Sequence, residues 1–296
     1  MSEFEGKVAV ITGAGGGLGR AHALELARRG AKIVVNDLGG TVDGSGAGDA
    51  ADRVVAEINN AGGQAVANRS SVADKAGAKQ IVQTAIDAFG RIDILINNAG
   101  ILRDKTFKNM TLEDFDIVMQ VHIMGTAYVT HAAWPHLLAQ NYGRVVFTSS
   151  GSGIYGNFGQ ANYGAAKMSM LGLMNVLAIE GAGKNVRVNC LAPAATTRMT
   201  ATVPGRTEDV AAPAPLRAPE LVTPAVLYMV SEDAPNGVTI NAGMGNYSRA
   251  QIMVNEGVHL GEGASYEDFM RNVDKIMDMS TPQPRVRGPR PPRSAA

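Results

Sequence analysis

The chain has 296 residues, 45% of them apolar and 18% charged, with 27 Lys+Arg against 27 Asp+Glu. That composition supports a sizeable buried core and excludes general disorder, and the balanced charge gives no reason to expect nucleic acid or an anionic membrane as partner. The single Cys190, inside the run Val186-Arg187-Val188-Asn189-Cys190-Leu191, rules out an internal disulfide and reads as a buried, unreactive thiol.

Met1–Lys7 lacks a basic start and a long apolar stretch, so a signal peptide is not expected. No run of about 18 apolar residues follows, and the last residues are Ser294-Ala295-Ala296; a cytoplasmic protein with no membrane span is expected. The first strand-like run, Val8–Thr12, leads into Gly13-Ala14-Gly15-Gly16-Gly17-Leu18-Gly19 and a helical pattern over Gly19–Arg29. A glycine fingerprint means little alone, but strand, tight glycine turn and helix together predict a dinucleotide site. Gly13 permits the turn, Gly17 and Leu18 bring backbone to the pyrophosphate, and Gly19 allows close helix packing. A second strand, Lys32–Asp37, ends on a carboxylate 18 residues after Gly19. Asp37 can accept both ribose hydroxyls and would repel a 2′-phosphate; Leu38-Gly39-Gly40 follows it rather than a basic residue, so NAD is expected over NADP.

The alternation continues through a helix at Ala47–Ala61, a strand at Gln64–Asn68, a helix at Ala76–Phe89, a strand at Ile92–Asn97 and a helix at Leu112–Gln140. Then come a strand at Arg144–Ser149, a helix at Tyr163–Ala182, and strands at Asn185–Leu191 and Gly237–Asn241. Apolar β-branched runs joined by helices imply an α/β, doubly wound parallel sheet, a Rossmann fold in one domain over residues 1–246. Thr200–Pro219, rich in proline and alanine, is expected to be a mobile substrate loop, since it lies beyond a strand's carboxyl end. A C-terminal helical extension, 247–281, includes a helix at Tyr266–Met279; the Arg/Pro-rich 282–296 is expected to be a disordered tail. His131 and His136 lack metal-ligand spacing, so no metal is expected.

Tyr163 and Lys167 are four residues apart, and Ser150 stands 13 residues before the tyrosine. On a helix such a pair shares one face, so the ammonium can favour the phenolate of a tyrosine whose ordinary pKa is about 10. With Ser150 as a hydrogen-bond donor, the trio can move a proton to or from a carbonyl or alcohol oxygen.

Thr12-Gly13-x-x-x-Gly17-x-Gly19, Asn97-Asn98-Ala99-Gly100, Ser150 and Tyr163-x-x-x-Lys167 together resemble the short-chain dehydrogenase/reductase family, over about Gly6 to Gly245. The resemblance implies that Ser150, Tyr163 and Lys167 are catalytic, that Asn98, Ala99 and Gly100 lie beside the cofactor, and that Tyr163 and Lys167 also contact it. Val35–Gly40, Asn98–Asp104, Ser152–Tyr163, the glycine-rich insert Gly39–Gly48 and Arg198-Met199-Thr200 are similar to the (3R)-hydroxyacyl-CoA dehydrogenase units of type 2 peroxisomal multifunctional enzymes. That implies oxidation of (3R)-3-hydroxyacyl-CoA in fatty-acid or steroid side-chain β-oxidation, beside a separate enoyl-CoA hydratase, since no length is left for a fused one. It also implies a homodimer or homotetramer through the Tyr163 helix, with Met168, Met170 and Met174 as packing residues, and the Leu112–His136 stretch. A free-steroid dehydrogenase, a 3-oxoacyl-carrier-protein reductase and a non-catalytic dinucleotide sensor remain as alternatives. Three positions depart from the family pattern: His122 for an asparagine, Ala194 for a glycine after Pro193, and Ser70-Ser71 for an acidic residue.

Overall fold

In the computed structural model, which describes residues 3–195 and 214–284, the apolar runs become buried parallel strands. They are β1 (Val8–Thr12), β2 (Lys32–Asn36), β3 (Gln64–Asn68), β4 (Ile94–Asn97), β5 (Gly143–Thr148), β6 (Val186–Ala194) and β7 (Thr239–Gly243). The spatial order is β3-β2-β1-β4-β5-β6-β7, completed by β8 (Asn246–Ala250), which the sequence reading did not anticipate. Met244 (φ 52) and Gly245 (φ 74) make the two-residue connection into β8, a left-handed pair suited to a hairpin. Val10 of β1 faces both Val34 of β2 and Leu95 of β4, so the winding reverses at β1. A crevice opens at the strand carboxyl ends at such a point.

Each face of the sheet buries one core. On one side, α1 (Gly17–Arg28), α2 (Ala50–Asn60) and α8 (Thr223–Val230) pack Leu26, Ile58 and Met229 against Ile11, Ile33 and Ile96. On the other, α3 (Lys75–Phe89), α5 (Gly125–Ala139) and α7 (Ala161–Gly181) pack Ile81, Leu137 and Met174 against Val34, Leu95 and Phe147. Alternate residues of a strand point to opposite faces, so only strands apolar at every position serve both cores. Asp74 Oδ2 caps α3 by accepting from Gly77 N (2.7 Å), and Gly90 at φ 77 ends it.

The Leu112–Gln140 helix is not uniform. It is α4 (Leu112–Met119), a π-helical turn over Gln120–Met124, then α5. One extra residue per turn rotates His122 inward, where it is fully buried. A short helix α6 (Gly151–Tyr155) lies between β5 and α7. Met170 and Met174 point into the core, correcting their reading as packing residues of a dimer face; only Met168 of the three is exposed. The phase explains this: 170, 174 and 178 form the buried stripe, and 168, 172 and 176 the outer one.

At the amino end of the sheet Arg144 is fully buried. Its guanidinium donates to the carbonyls of Ser231 (2.8 Å), Gly143 and Asn185 (2.9 Å each).

The chain divides into two compact units at Arg249/Ala250. In the second unit the expected Tyr266–Met279 helix is broken into α9 (Tyr266–Arg271) and α10 (Val273–Met277). Asn272, outside helical geometry at φ −112, donates its amide to Asp268 O (2.9 Å) and separates them. β9 (Met253–Val254) pairs antiparallel with β10 (Gln283–Pro284), so these two residues of the expected tail are ordered into a ladder. Residues 285–296 and 196–213, the latter including 200–213 of the expected substrate loop, lie outside the described residues. Among the described residues no helix is long and apolar enough to cross a membrane, and no group of three His, Cys, Asp or Glu could hold a metal.

Candidate active site

A cavity of about 750 Å³ lies over the carboxyl ends of β1, β2, β4, β5 and β6. Gly13, Gly17, Leu18, Asp37, Asn98, Ala99, Gly100, Ser150, Tyr163 and Lys167 all line it. Gly19 does not; it is buried behind the turn, where a Cβ would come within 2.7 Å of Asn98 Nδ2 and would strike Gly13 O. Gly13 (φ 63) and Gly17 (φ 52) hold left-handed backbone.

Unlike α3 and α4, which carry side-chain caps from Asp74 and Thr111, α1 has no side-chain cap and no acidic residue in its first turn. Its amino end is therefore left for an anion, and the glycine turn fits a pyrophosphate. Asp37, one residue beyond β2, fixes that turn: Oδ2 accepts from Gly15 N (2.8 Å) and Oδ1 from Gly39 N (2.7 Å). From the other side Asn98 Nδ2 donates to Thr12 O and Gly13 O (3.0 Å each), while Thr12 Oγ1 accepts from Asn98 N (3.0 Å) and Ala99 N (3.1 Å).

Ser150, Tyr163 and Lys167 sit where β5 and α7 meet. Ser150 caps α6, its Oγ accepting from Ser152 N (3.1 Å), which leaves the O–H to donate into the cavity. Tyr163 is in the first turn of α7, which starts two residues earlier than the sequence pattern indicates. Lys167 is almost fully buried, its Nζ donating to Thr148 O (2.6 Å) and lying 5.5 Å from the Tyr163 ring centre. Burial lowers the lysine to about 7. Ser149 Oγ donates to Lys167 O (2.8 Å), tying helix to strand.

His122 packs edge-on against Tyr163, with ring centres 5.2 Å apart at 88°. Its Nε2 lies 3.1 Å from Ile101 N and 2.8 Å from Ile101 O, and Nδ1 has no protein partner. Burial holds this imidazole well below its ordinary value, hence neutral. A Cβ on Gly100 would run into the His122 ring, so the Asn-Asn-Ala-Gly segment and the π turn fit only together.

Several positions were not singled out from sequence. Gly15 donates to Asp37, and Asn162 staples the start of α7: its Nδ2 donates to Arg103 O (3.1 Å) and Asp114 O (3.2 Å), and its Oδ1 accepts from Tyr163 N (2.7 Å). Gln160 Nε2 donates to Asp104 Oδ2 (2.7 Å) at the cavity wall. Their one sequence signal is proximity to the glycine turn and to Tyr163.

Known proteins share this sequence and this fold. The pattern of the short chain dehydrogenase family matches residues 7–209. A short-chain type dehydrogenase/reductase of Mycobacterium tuberculosis is 48% identical over 282 residues, covering 95% of this chain and 97% of its own. The peroxisomal multifunctional enzyme type 2 of Mus musculus is 60% identical over 201 residues, 68% of this chain but only 27% of that protein. Among solved structures, a 7α-hydroxysteroid dehydrogenase complexed with NADH and 7-oxo glycochenodeoxycholic acid superposes with a TM-score of 0.73 at 28% identity, covering 82% of this chain and 95% of that one. The chain thus belongs to the short-chain dehydrogenase/reductase family, and is an oxidoreductase that uses a nicotinamide dinucleotide.

Proposed function

We propose that the chain is an NAD-dependent dehydrogenase oxidising (3R)-3-hydroxyacyl-CoA to 3-oxoacyl-CoA, with Ser150, Tyr163 and Lys167 as catalytic residues. The observation that carries this reading is the convergence of all three on one cavity whose far wall is the glycine turn and Asp37. The likeness to the multifunctional enzyme supports a thioester substrate, and Asp37, a carboxylate with a free lone pair on each oxygen, supports NAD over NADP.

The substrate hydroxyl sits between Ser150 Oγ and the Tyr163 phenol. Ser150 donates to the oxygen and fixes its position. Tyr163, as phenolate, takes the hydroxyl proton while the C3–H bond breaks. When bound, the nicotinamide dinucleotide supplies the acceptor for the hydride leaving C3. Lys167, as ammonium, favours phenolate; its lowered value lets it exchange its own proton near neutral pH. Neutral His122 holds the Tyr163 ring edge-on without adding a competing charge. The substrate is a hydration product, so an enoyl-CoA hydratase is the functional partner.

NADH formation at 340 nm, with NAD+ or NADP+ and a panel of (3R)- and (3S)-3-hydroxyacyl-CoAs, free hydroxysteroids and carrier-protein thioesters, tests the assignment. Turnover of the (3R) thioesters with NAD+ is expected; turnover of free steroids alone would replace the substrate assignment. Tyr163→Phe should lose about 10²–10⁴-fold in kcat, the usual worth of a positioned acid/base, and still bind NADH. Retention of more than about a tenth of wild-type turnover would remove Tyr163 as the acid/base.

A further inference from the structure

The insert Gly39–Gly48 leaves the end of β2 and returns to α2 with its neck pinched: Gly48 N donates to Leu38 O (3.1 Å). A side chain on Gly39 (φ 77) would strike the Gly48 backbone, so the neck requires glycine. Inside the loop Thr41 N donates to Ser45 O (2.8 Å), Gly44 N donates to Thr41 O (3.0 Å), and the Asp43 carboxylate accepts from the Thr41 hydroxyl and from Ser45. These bonds make the insert one piece, joined to the fold at a narrow neck.

Its tip is held elsewhere. Leu102 N donates to Val42 O (3.1 Å), Arg103 Nε donates to Asp43 O (3.0 Å), and Gly44 lies against Ile101. Leu102 and Arg103 follow β4, whereas the neck follows β2; in the sheet β1 lies between these parallel strands. A loop anchored after β2 and docked after β4 must pass above the end of β1, where the glycine turn begins. Gly40, Thr41, Val42 and Gly44 accordingly line the cavity opposite that turn. Arg103 also donates from Nη1 to Asp114 Oδ1 (3.1 Å), and its own carbonyl accepts from Asn162, the residue that holds Tyr163 N.

We propose that Gly39–Gly48 is a strap closing over the bound dinucleotide, and that Arg103 is the positioning residue that latches it and ties it to the start of the Tyr163 helix. This rests on the dinucleotide reading of the cavity. The dinucleotide leaves when the latch opens, so Arg103 sets its dissociation rate; where product release limits turnover, it sets kcat as well.

The test is stopped-flow measurement of NADH release from the full chain, followed by nicotinamide fluorescence. Arg103→Met removes the one charge-assisted hydrogen bond to the strap together with the Asp114 pairing, and loss of the strap bond should speed release about tenfold, with association changed far less. Lys105→Met is the control: Lys105 pairs with the same Asp114 carboxylate (2.7 Å) but bonds to nothing in the strap, so its release rate should match wild type. Release from Arg103→Met at the wild-type rate, or equal acceleration in both variants, would overturn the latch. Amide hydrogen exchange on the unmutated protein is the independent measurement: NADH should protect residues 41–48, and unchanged exchange there would overturn the strap. If neither NADH nor NADPH binds, the dinucleotide reading itself falls and the strap falls with it.

Discussion

Two histidines and a lysine are buried where the charged form is disfavoured, and each leaves a mark on pH dependence. His22, fully buried on α1, meets Thr223 Oγ1 through Nδ1 (2.9 Å), and burial lowers it from 6.5 to about 3. The unfolded chain binds that proton first, so the contribution of neutral His22 to stability is complete above pH 6.5 and is lost as pH falls toward 3. His122 acts in the same direction. Lys167 has the same sign in a higher window, its burial penalty growing as pH falls from 10.5 to about 7. The melting temperature should therefore drop steadily between pH 6.5 and 4. In His22→Leu the drop should be shallower, although the variant loses about 1–2 kcal/mol at pH 8 from the orphaned threonine hydroxyl. Equal slopes for the two proteins in calorimetric scans would show that His22 does not titrate on unfolding. At this scale the sequence was informative where chemistry is local: the Tyr163–Lys167 spacing and Asp37 need only a helix and a strand end to acquire meaning. It was silent on His22 and Arg144, because burial is a property of what packs above a residue. Nothing in Gly143-Arg144-Val145 marks the arginine as buried until Ser231 and Asn185 are brought over it.

Among the elements, the glycine turn and the two helices beside it carry the site. Gly19→Ala places a Cβ within 2.7 Å of Asn98 Nδ2 and against Gly13 O, so the turn must shift. Overpacking of this kind costs about 1–3 kcal/mol, and NADH affinity should fall at least tenfold with it. Titration calorimetry decides: a variant binding NADH as tightly as wild type would remove the packing argument for this glycine. The strand runs were legible because strands covered on both faces must be apolar throughout. The π turn was not. A periodicity of 3.6 continues across Gln120–Met124, and the extra residue becomes visible only when His122 is seen to meet Ile101. Met170 and Met174 were misplaced for a related reason, since spacing defines a stripe without saying which stripe faces the sheet.

For the molecule as a whole, the outer stripe of α7 leaves an apolar strip exposed among the described residues, Met168 at 39% and Val176 at 52%, and Met124 of the π turn is 38% exposed. Solvent does not favour such a strip, and a second copy of the chain is the occupant we propose. Sedimentation velocity should show an assembly larger than one chain, and Val176→Glu should shift it toward monomer by burying an unpaired carboxylate in the contact. A wild-type protein sedimenting as a monomer would rule this out. The sheet order, by contrast, rests on alternation that the sequence displays from Val8 to Leu191, whereas β8 and the break at Arg249/Ala250 have no periodic signal of comparable length.

The buried Arg144 has a consequence for how such a chain can change over time. It gathers the ends of three chain segments at the amino end of the sheet, whereas the cavity lies at the carboxyl end, so cohesion and the proposed chemistry occupy opposite poles. A substitution that reshapes the mouth of the cavity leaves those anchoring bonds untouched. The polypeptide can be retuned toward a different alcohol at one pole while the other continues to specify the same architecture.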